Sequence, residues 1–252
     1  MPDYLIPNLL NAGRVLKLLA SEPDLTVLQI SRALHVPRTT VLRIATSLVR
    51  EGLLEVGVNH AYSLGPALIY LGMRAMDGVD LTGLAKPLLK QLAHQTGETA
   101  HLAMLSDDKS LLLEVCQSPL PIRAGAPAGT LADLHCSATG KVFLAWNFAD
   151  GLPAFFDRVK PSSHTARTIT TADRMAKEVS LILKNGYAVD EEEIYDGIRC
   201  VAVPVLNSRG RVHIALGITG VTGRLTRRRI PGCVAQLKEA AAKLSAALGY
   251  RG

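Results

Sequence analysis

Residues 26–52, TVLQISRALHVPRTTVLRIATSLVREG, predict two short helices joined by a tight turn, which is a helix-turn-helix. Pro37 separates the helices, because a proline disfavours helical geometry in the residue before it. It also suits the first turn of the next helix, where its missing N–H costs nothing. The apolar face of the first helix is expected to consist of Leu28, Ile30, Ala33 and Leu34.

The second of these helices has the pattern of a recognition helix. Its apolar residues recur at spacings of three and four, as on a face turned toward a core: Val41, Ile44, Ala45, Leu48 and Val49. The polar residues of the early turns face outward and are the predicted DNA-binding residues: Arg38, Thr39, Thr40 and Arg43. A helix fits the major groove, where arginine can bind guanine and hydroxyls can hold phosphate. The alternative is a helical hairpin in a larger core, with its arginines on a solvated face.

A β-hairpin predicted after the second helix favours the DNA-binding interpretation. Residues 53–56 (LLEV) and 61–64 (AYSL) have strand character and flank the turn GVNH. A hairpin directly after a recognition helix makes a winged helix. Asn59 and His60 would then lie at the tip of the wing, close to the DNA backbone or the minor groove.

Composition indicates a folded protein with two domains. The chain has 252 residues, 48% of them hydrophobic and 20% charged. It shows no apolar run of about 18 residues and no signal-peptide pattern, so we expect a cytoplasmic protein without a membrane partner. The cysteines are widely spaced and form no CxxC pair, which argues against a disulfide framework or a structural zinc site. They are Cys116, Cys136, Cys200 and Cys233.

The placement of charge matters more than its sum. The formal net charge of +6 fits a nucleic-acid partner, yet residues 1–65 carry six basic and five acidic residues. Residues 37–50, however, contain three arginines and no acid, as a DNA-facing helix requires. The densest basic run, residues 227–229, is expected to be a solvated helix start rather than a second DNA site.

The chain divides into three predicted regions. Residues 1–65, opened by an amphipathic helix over residues 8–20, form the winged helix-turn-helix domain. Residues 66–80 form a linker helix whose apolar residues pack either against a second subunit or back on their own chain. Residues 81–252 alternate helices and hairpin strands, which predicts an α+β fold. Ser137 is the expected N-cap of one helix and Gly186 the C-terminal cap of another, and Pro231-Gly232 is expected to interrupt the last helix.

Four segments resemble the IclR family of bacterial transcription regulators. They are VPRTTVLRIATSLVREGLLE (36–55), LHCSATGKVFLA (134–145), GYAVDEEEIYDGIRCVAVPV (186–205) and ALGITGVTGRLT (215–226). The likeness covers nearly the whole chain, in the right order. It implies a winged-helix domain, a helical linker and a C-terminal GAF-like α/β effector-binding domain. It also implies a homodimer through the DNA-binding half, often paired into a homotetramer.

The resemblance also implies a set of effector-binding residues. Carried over position by position, they are Thr139, Asp190, Cys200 and Thr219. The helix start from Ser137 to Gly140 could hold a carboxylate, because unpaired N–H groups and the helix dipole favour an anion. An unprotonated Asp190 would repel an anionic ligand, which favours a hydroxy acid, a sugar acid or a ligand with a donor group. Glycine at position 217, where many relatives place serine, is expected to leave more room.

Each of these positions also has a purely structural interpretation. Cys200 could be buried packing, Thr139 could only stabilise its helix, and Asp190 could only bond loop amides. His135 beside Cys136 suggests a nucleophile or a metal site, but adjacent residues usually point apart. No third ligand is evident from spacing, so neither a metal nor a cofactor is expected.

The sequence therefore predicts a DNA-binding transcriptional regulator controlled by a small organic acid, and not an enzyme. A second hypothesis is a thiol-dependent enzyme acting on a small acid, with Cys136 or Cys200 as nucleophile and His101 or His135 as base. A third makes the C-terminal domain an oligomerisation module with an empty pocket.

Overall fold

The computed structural model describes residues 5–76 and 81–251, except for the side chains of residues 73–76. The chain divides into two compact units, Met1–Asp80 and Leu81–Gly252. Within the described ranges, no helix is both long enough and apolar enough to cross a bilayer.

The N-terminal unit is a three-helix core with a small hairpin. Its elements are α1 (Pro7–Ser21), α2 (Val27–Leu34), α3 (Arg38–Arg50), β1 (Leu54–Val56), β2 (Tyr62–Leu64) and α4 (Ala67–Met76). Buried apolar residues from the three helices and both strands share one cluster, including Leu19, Ile30, Ile44, Leu54 and Tyr62. Burying these side chains against one another stabilises the unit, and the predicted helix-turn-helix and hairpin are confirmed.

Two details of the helix-turn-helix differ from the prediction. Ala33 is exposed and takes no part in the apolar face of α2, where Ile30 alone is fully buried. Pro37 is the N-cap of α3 rather than a residue of its first turn. The turn between the helices is instead made by His35, which takes a left-handed conformation with φ 54° at the end of α2.

The predicted linker is helical over its first part. α4 spans Ala67–Met76, while the remainder of the predicted segment, residues 77–80, lies outside the described residues. Ile69, Tyr70 and Leu71 are exposed on this helix.

The C-terminal unit is built on one antiparallel sheet of six strands. Its elements are α5 (Leu81–Thr96), β3 (Thr99–Ser106), β4 (Lys109–Cys116), β5 (Leu131–Asp133), α6 (Ala138–Asn147), α7 (Leu152–Val159), α8 (Ala172–Asn185), β6 (Ala188–Glu191), β7 (Ile198–Leu206), β8 (Val212–Val221) and α9 (Ile230–Ala247). The strands lie in the order β5-β4-β3-β8-β7-β6. Strands β3 and β8, distant in sequence, are therefore neighbours at the centre.

Helices cover both faces of this sheet. One apolar cluster joins α5 and α9 to it, with Leu89, Leu216 and Leu237 fully buried. A second joins α6, α7 and α8 to the other face through residues such as Phe143 and Phe155. The unit is thus a three-layer α+β domain, as the predicted mixture of helices and hairpins requires.

Four features of this domain differ from the sequence prediction or were not foreseen. The short edge strand β5 and the helix α7 were not predicted. The expected interruption of the last helix at Pro231-Gly232 is wrong: α9 is continuous, and Pro231 lies in its first turn, where proline is tolerated. Residues 227–229 form a 3₁₀ turn just before α9, in which Arg229 pairs with the buried Glu98.

Candidate functional site

The outer face of α3 is polar and accessible. Arg38, Thr39 and Arg43 are exposed and Thr40 is half-buried, while Val41, Ile44, Ala45 and Leu48 hold the opposite face in the core. The two faces follow from the 3.6-residue period of the helix, and they leave both arginines free to extend into solvent.

The wing is a tight hairpin with two strained residues at its tip. Leu54 pairs with Leu64 and Val56 with Tyr62, and the N–H of Gly57 donates to the carbonyl of Ala61 at 2.8 Å. Asn59 and His60 both have positive φ, 60° and 55°, and both are exposed. The predicted DNA-binding residues of the helix and the wing thus all lie on the surface of the N-terminal unit, except for the half-buried Thr40.

The C-terminal unit contains a cavity of about 670 Å³. Its walls come from all six strands of the sheet, from the start of α6 and from the loop that precedes β5. The volume falls within the range of small-molecule pockets, and much of the lining is apolar. Among the described residues that line it there is no arginine and no lysine.

A row of polar residues crosses the sheet along one wall. Asp190 of β6 faces Cys200 of β7, Cys200 faces Thr219 of β8, and Thr219 faces Thr99 of β3. The Cys200 Sγ and the Thr219 Oγ1 are 3.2 Å apart. All four residues line the cavity, so register alone brings together side chains that lie up to 120 positions apart in the chain.

Asp190 is a carboxyl group held in an almost fully buried place. It is 1% exposed, and its Oδ1 accepts a hydrogen bond of 2.7 Å from the backbone N–H of Glu193. Burial raises the pKa of Asp190 to about 6, because taking the charged form out of water is costly. Near pH 6 the group is therefore about half protonated, and it can either donate to or accept from a ligand.

The start of α6 forms another part of the wall. Ser137 is its N-cap, and the Ser137 Oγ accepts from the N–H of Gly140 at 3.1 Å. Ala138 and Thr139 line the cavity, and the Thr139 hydroxyl lies 2.7 Å from that of Ser110. Gly140 does not line the cavity: it packs against Leu134, and its amide is already used by the cap.

His101 is a buried histidine on the cavity wall. It lies two residues along β3 from Thr99, so both side chains point to the same face of the sheet. Burial lowers its pKa to about 4, which keeps the imidazole neutral at physiological pH. The sequence suggests His101 only as the base of a thiol-dependent enzyme, and the signal that could place it on this wall is the period of two that it shares with Thr99.

A second buried charge lies behind Asp190. Lys141 of α6 is 1% exposed, and its Nζ donates to Glu193 at 2.5 Å and to Glu178 at 3.0 Å. Because the backbone N–H of Glu193 also bonds to Asp190, this ion pair fixes the loop that carries the carboxyl group. The role of Lys141 was not predicted, since a lysine at a helix start reads as a surface residue.

Family models match both units of the chain. Residues 9–56 match the IclR helix-turn-helix domain, and residues 73–246 match the model for the C-terminal domain of the bacterial transcriptional regulator IclR. The chain belongs to the IclR family. It is therefore a DNA-binding transcriptional regulator with a small-molecule effector domain.

Individual relatives of this IclR-family regulator agree along the whole chain. The transcriptional regulator KdgR of Escherichia coli (strain K12) is 32% identical over 250 residues, covering 99% of this chain and 95% of the relative. The crystal structure of an IclR regulator from Alicyclobacillus acidocaldarius has a TM-score of 0.83 and 33% identity, covering 96% and 99% of the two chains. An IclR homologue of Microbacterium hydrocarbonoxydans, complexed with 4-hydroxybenzoate, shares the fold with a TM-score of 0.79 and 23% identity, covering 96% and 98%.

The cavity of this IclR-family regulator contains more than the residues expected from the sequence. Thr139, Asp190, Cys200 and Thr219 all line it, and Gly140 does not. It also contains several polar residues that the sequence did not assign to the effector, namely Thr99, His101, Asp133, Cys136 and His164. Cys136 and His164 also belong to a cluster that the sequence did not predict. One ring nitrogen of His135, one of His164 and the Sγ of Cys136 lie within 4.8 Å of one another. The expectation that the ligand atoms of His135 and Cys136 point apart is wrong. The third residue, His164, is far from them in sequence and reaches them from the segment between α7 and α8.

Proposed function

We propose that the regulator reads its operator with Arg38, Thr39, Thr40 and Arg43 and steadies the duplex with Asn59 and His60. The observation that carries this assignment is the accessible polar face of α3, which has two arginines and no acid. Arginine can pair with guanine in the major groove, and the wing lies at the end of a hairpin short enough to reach the adjacent backbone.

The DNA site is tested by measuring how tightly the protein binds the double-stranded DNA upstream of its own coding sequence. Binding is measured by fluorescence anisotropy at a series of salt concentrations. Arg38→Ala/Arg43→Ala is expected to weaken binding by about 10- to 100-fold for each base-reading arginine, and to flatten the salt slope. Arg50→Ala is the matched control, because Arg50 is exposed in the last turn of the same helix. Equal affinity of the double variant and the wild type would refute the assignment.

We also propose that the cavity of the C-terminal unit is the effector site and that its ligand is an organic acid. The proposed contacts of the ligand are Thr139, Asp190, Cys200 and Thr219. The N-terminal turn of α6 is proposed to bind its carboxylate. Gly140 would take part only through its hydrogen bond to the N-cap, not by contact with the ligand. A hydroxyl on the acid would bond to Asp190, which favours hydroxy and sugar acids. The polar row across β6, β7 and β8 supports this choice, because it lies in a wall that is otherwise largely apolar.

A panel of small acids, with 4-hydroxybenzoate and several sugar acids among them, tests this part by thermal shift. An acid that binds the folded state raises the melting temperature, and Thr219→Val should reduce the shift by removing one hydroxyl of the row. Leu183→Ala, exposed on α8, is a control outside the cavity. If no acid of the panel produces a shift, the result contradicts an organic-acid effector and favours the alternative of an oligomerisation module with an empty pocket.

We further propose that the chain acts as a homodimer or homotetramer in the cytoplasm, with residues 1–65, 66–80 and 81–252 as winged helix, linker and effector domain. The exposed Ile69, Tyr70 and Leu71 of α4 support pairing of linkers between subunits. The subunits then have two arrangements that differ in their affinity for DNA. An effector can change DNA binding only to the extent that it binds one of these arrangements more tightly than the other. Light scattering of wild type and Ile69→Asp tests the pairing, and a monomeric wild type would contradict it.

Catalysis is not part of the proposal. Burial raises the pKa of both candidate thiols, Cys136 and Cys200, so that each is protonated at neutral pH and a poor nucleophile. Sustained turnover of a small acid by the wild type, with loss of that turnover in Cys136→Ser or Cys200→Ser, would support the enzyme hypothesis instead.

A further inference from the structure

His135, Cys136 and His164 form a compact group of metal-ligating side chains at the edge of the cavity. One ring nitrogen of each histidine and the Cys136 Sγ lie within 4.8 Å of one another. Zinc bonds of about 2.0–2.3 Å place tetrahedral ligand atoms roughly 3.3–3.6 Å apart, so the group needs to contract by about 1 Å. Imidazole and thiolate are the ligands that zinc prefers.

The tautomer of His135 is set by its surroundings. Its Nε2 lies 3.0 Å from the carbonyl oxygen of Ser162, which can only accept, so Nε2 carries the proton. The Nδ1 atom therefore presents a lone pair. His135 is 1% exposed, and no hydrogen-bond partner reaches its Nδ1 among the described residues. A buried imidazole nitrogen without a partner is a costly arrangement unless something binds there.

His164 shows the same pattern of an oriented ring. Its Nε2 lies 3.3 Å from the Oδ2 of Asp133, and Lys109 pairs with the other oxygen of that carboxylate. A histidine that binds a metal commonly bonds through its other nitrogen to a carboxylate or a backbone carbonyl, and here His164 and His135 show one of each. The side chain of His164 is 35% exposed, which gives an ion a path from solvent.

We propose that His135, Cys136 and His164 bind one divalent transition-metal ion, Zn²⁺ by preference, with Asp133 orienting His164. On binding, a bond forms between the metal and the Cys136 sulfur, and the thiol proton passes to solvent. Three protein ligands leave one coordination position for water or a carboxylate oxygen. Two of the ligands, Cys136 and His164, line a cavity whose described lining has no arginine or lysine.

Cobalt titration of the untagged, full-length protein tests the site, because Co²⁺ replaces Zn²⁺ and reports its ligands by absorption. We expect one Co²⁺ per chain, a thiolate-to-cobalt charge-transfer band and displacement of both signals by Zn²⁺. Cys136→Ser should abolish the band. Cys200→Ser, which removes another buried thiol of the same cavity, should retain it.

Substitution of His164, the partly exposed ligand, gives a second test of the site if Cys136→Ser does not fold. His164→Ala should weaken Co²⁺ binding at least about tenfold, and Asp133→Asn should weaken it by a similar factor, as the loss of an orienting partner usually does. Absence of the charge-transfer band in the wild type, its persistence in Cys136→Ser, or unchanged affinity in His164→Ala would each overturn the proposal. The readout needs neither DNA nor effector, so its failure leaves the proposed function untouched.

Discussion

The imidazole of His101 fills the space above Gly217. The two residues face each other across β3 and β8, and a Cβ placed on Gly217 would lie 2.4 Å from the His101 Nε2. The expectation that glycine at position 217 leaves more room for an effector is therefore wrong. The missing serine is replaced by a histidine from the neighbouring strand, which supplies a neutral hydrogen-bonding ring to the same wall.

Gly217→Ser should destabilise the C-terminal domain by about 1–3 kcal/mol, because the new side chain overlaps a buried ring. Urea unfolding monitored by circular dichroism gives the free energy. Gly223→Ser is the matched control, since a Cβ at Gly223 meets nothing within 4 Å.

The double variant Gly217→Ser/His101→Ala tests the cause of this loss. Removing the ring should make the serine less costly, with a coupling energy of about 0.5–3 kcal/mol. Strict additivity of the two single variants would contradict the overlap.

Lys141→Met should cost about 3–5 kcal/mol, because it leaves the buried carboxylate of Glu193 without its partner. Equilibrium unfolding measures the loss. Lys243→Met is the control, because the pair of Lys243 with Glu239 is exposed and its loss should change stability far less. Adding Glu193→Gln to Lys141→Met should recover part of the stability, and a further loss would show that the charge of Glu193 is compensated elsewhere.

Asp190→Asn should gain stability relative to wild type as pH rises. The pKa of Asp190 is about 6 in the folded protein and near its ordinary value of 3.8 in the unfolded chain. The wild type is thus penalised for ionising a buried group, a penalty absent below about pH 4 and complete above about pH 7. The difference in unfolding free energy should grow by up to about 3 kcal/mol across that interval.

Urea unfolding of both proteins at several pH values between 4 and 8 measures this difference. Asparagine keeps an oxygen that can accept from the Glu193 N–H, so the loop should persist. Asp173→Asn, in the exposed first turn of α8, is the control and should track the wild type closely. Parallel pH profiles of Asp190→Asn and wild type would show that folding does not raise the pKa of Asp190.

Ser137→Ala should destabilise the start of α6 by about 1 kcal/mol. The Ser137 Oγ accepts from the Gly140 N–H and donates to the carbonyl of Asp133 at 2.6 Å. Alanine leaves the Gly140 N–H without this partner, while the Asp133 carbonyl keeps its bond from the backbone N–H of residue 137. Thermal unfolding measures the loss. Ser180→Ala, in the middle of α8, is the control and should change stability by less than about 0.5 kcal/mol.

Local pattern was sufficient for most of the secondary structure. The 3.6-residue period identified α3, and the serine and glycine caps placed the start of α6 and the end of α8, because these signals act within a few residues. The same method missed α7 and the three-residue strand β5, which is too short for a period of two to be visible. It also expected a break at Pro231, since a sequence does not show whether a proline lies inside a helix or in its first turn.

The sequence by itself determined the class of protein: a recognition helix with outward arginines, a wing, and four segments that resemble one family. Only the tertiary structure decided which side chains share a cavity. Antiparallel register aligns Asp190, Cys200, Thr219 and Thr99, and chain packing brings His164 to His135 and Cys136. The physical reason is that helix periods and caps are local, whereas strand order, burial and the pKa shifts that burial causes depend on contacts between residues far apart in the chain.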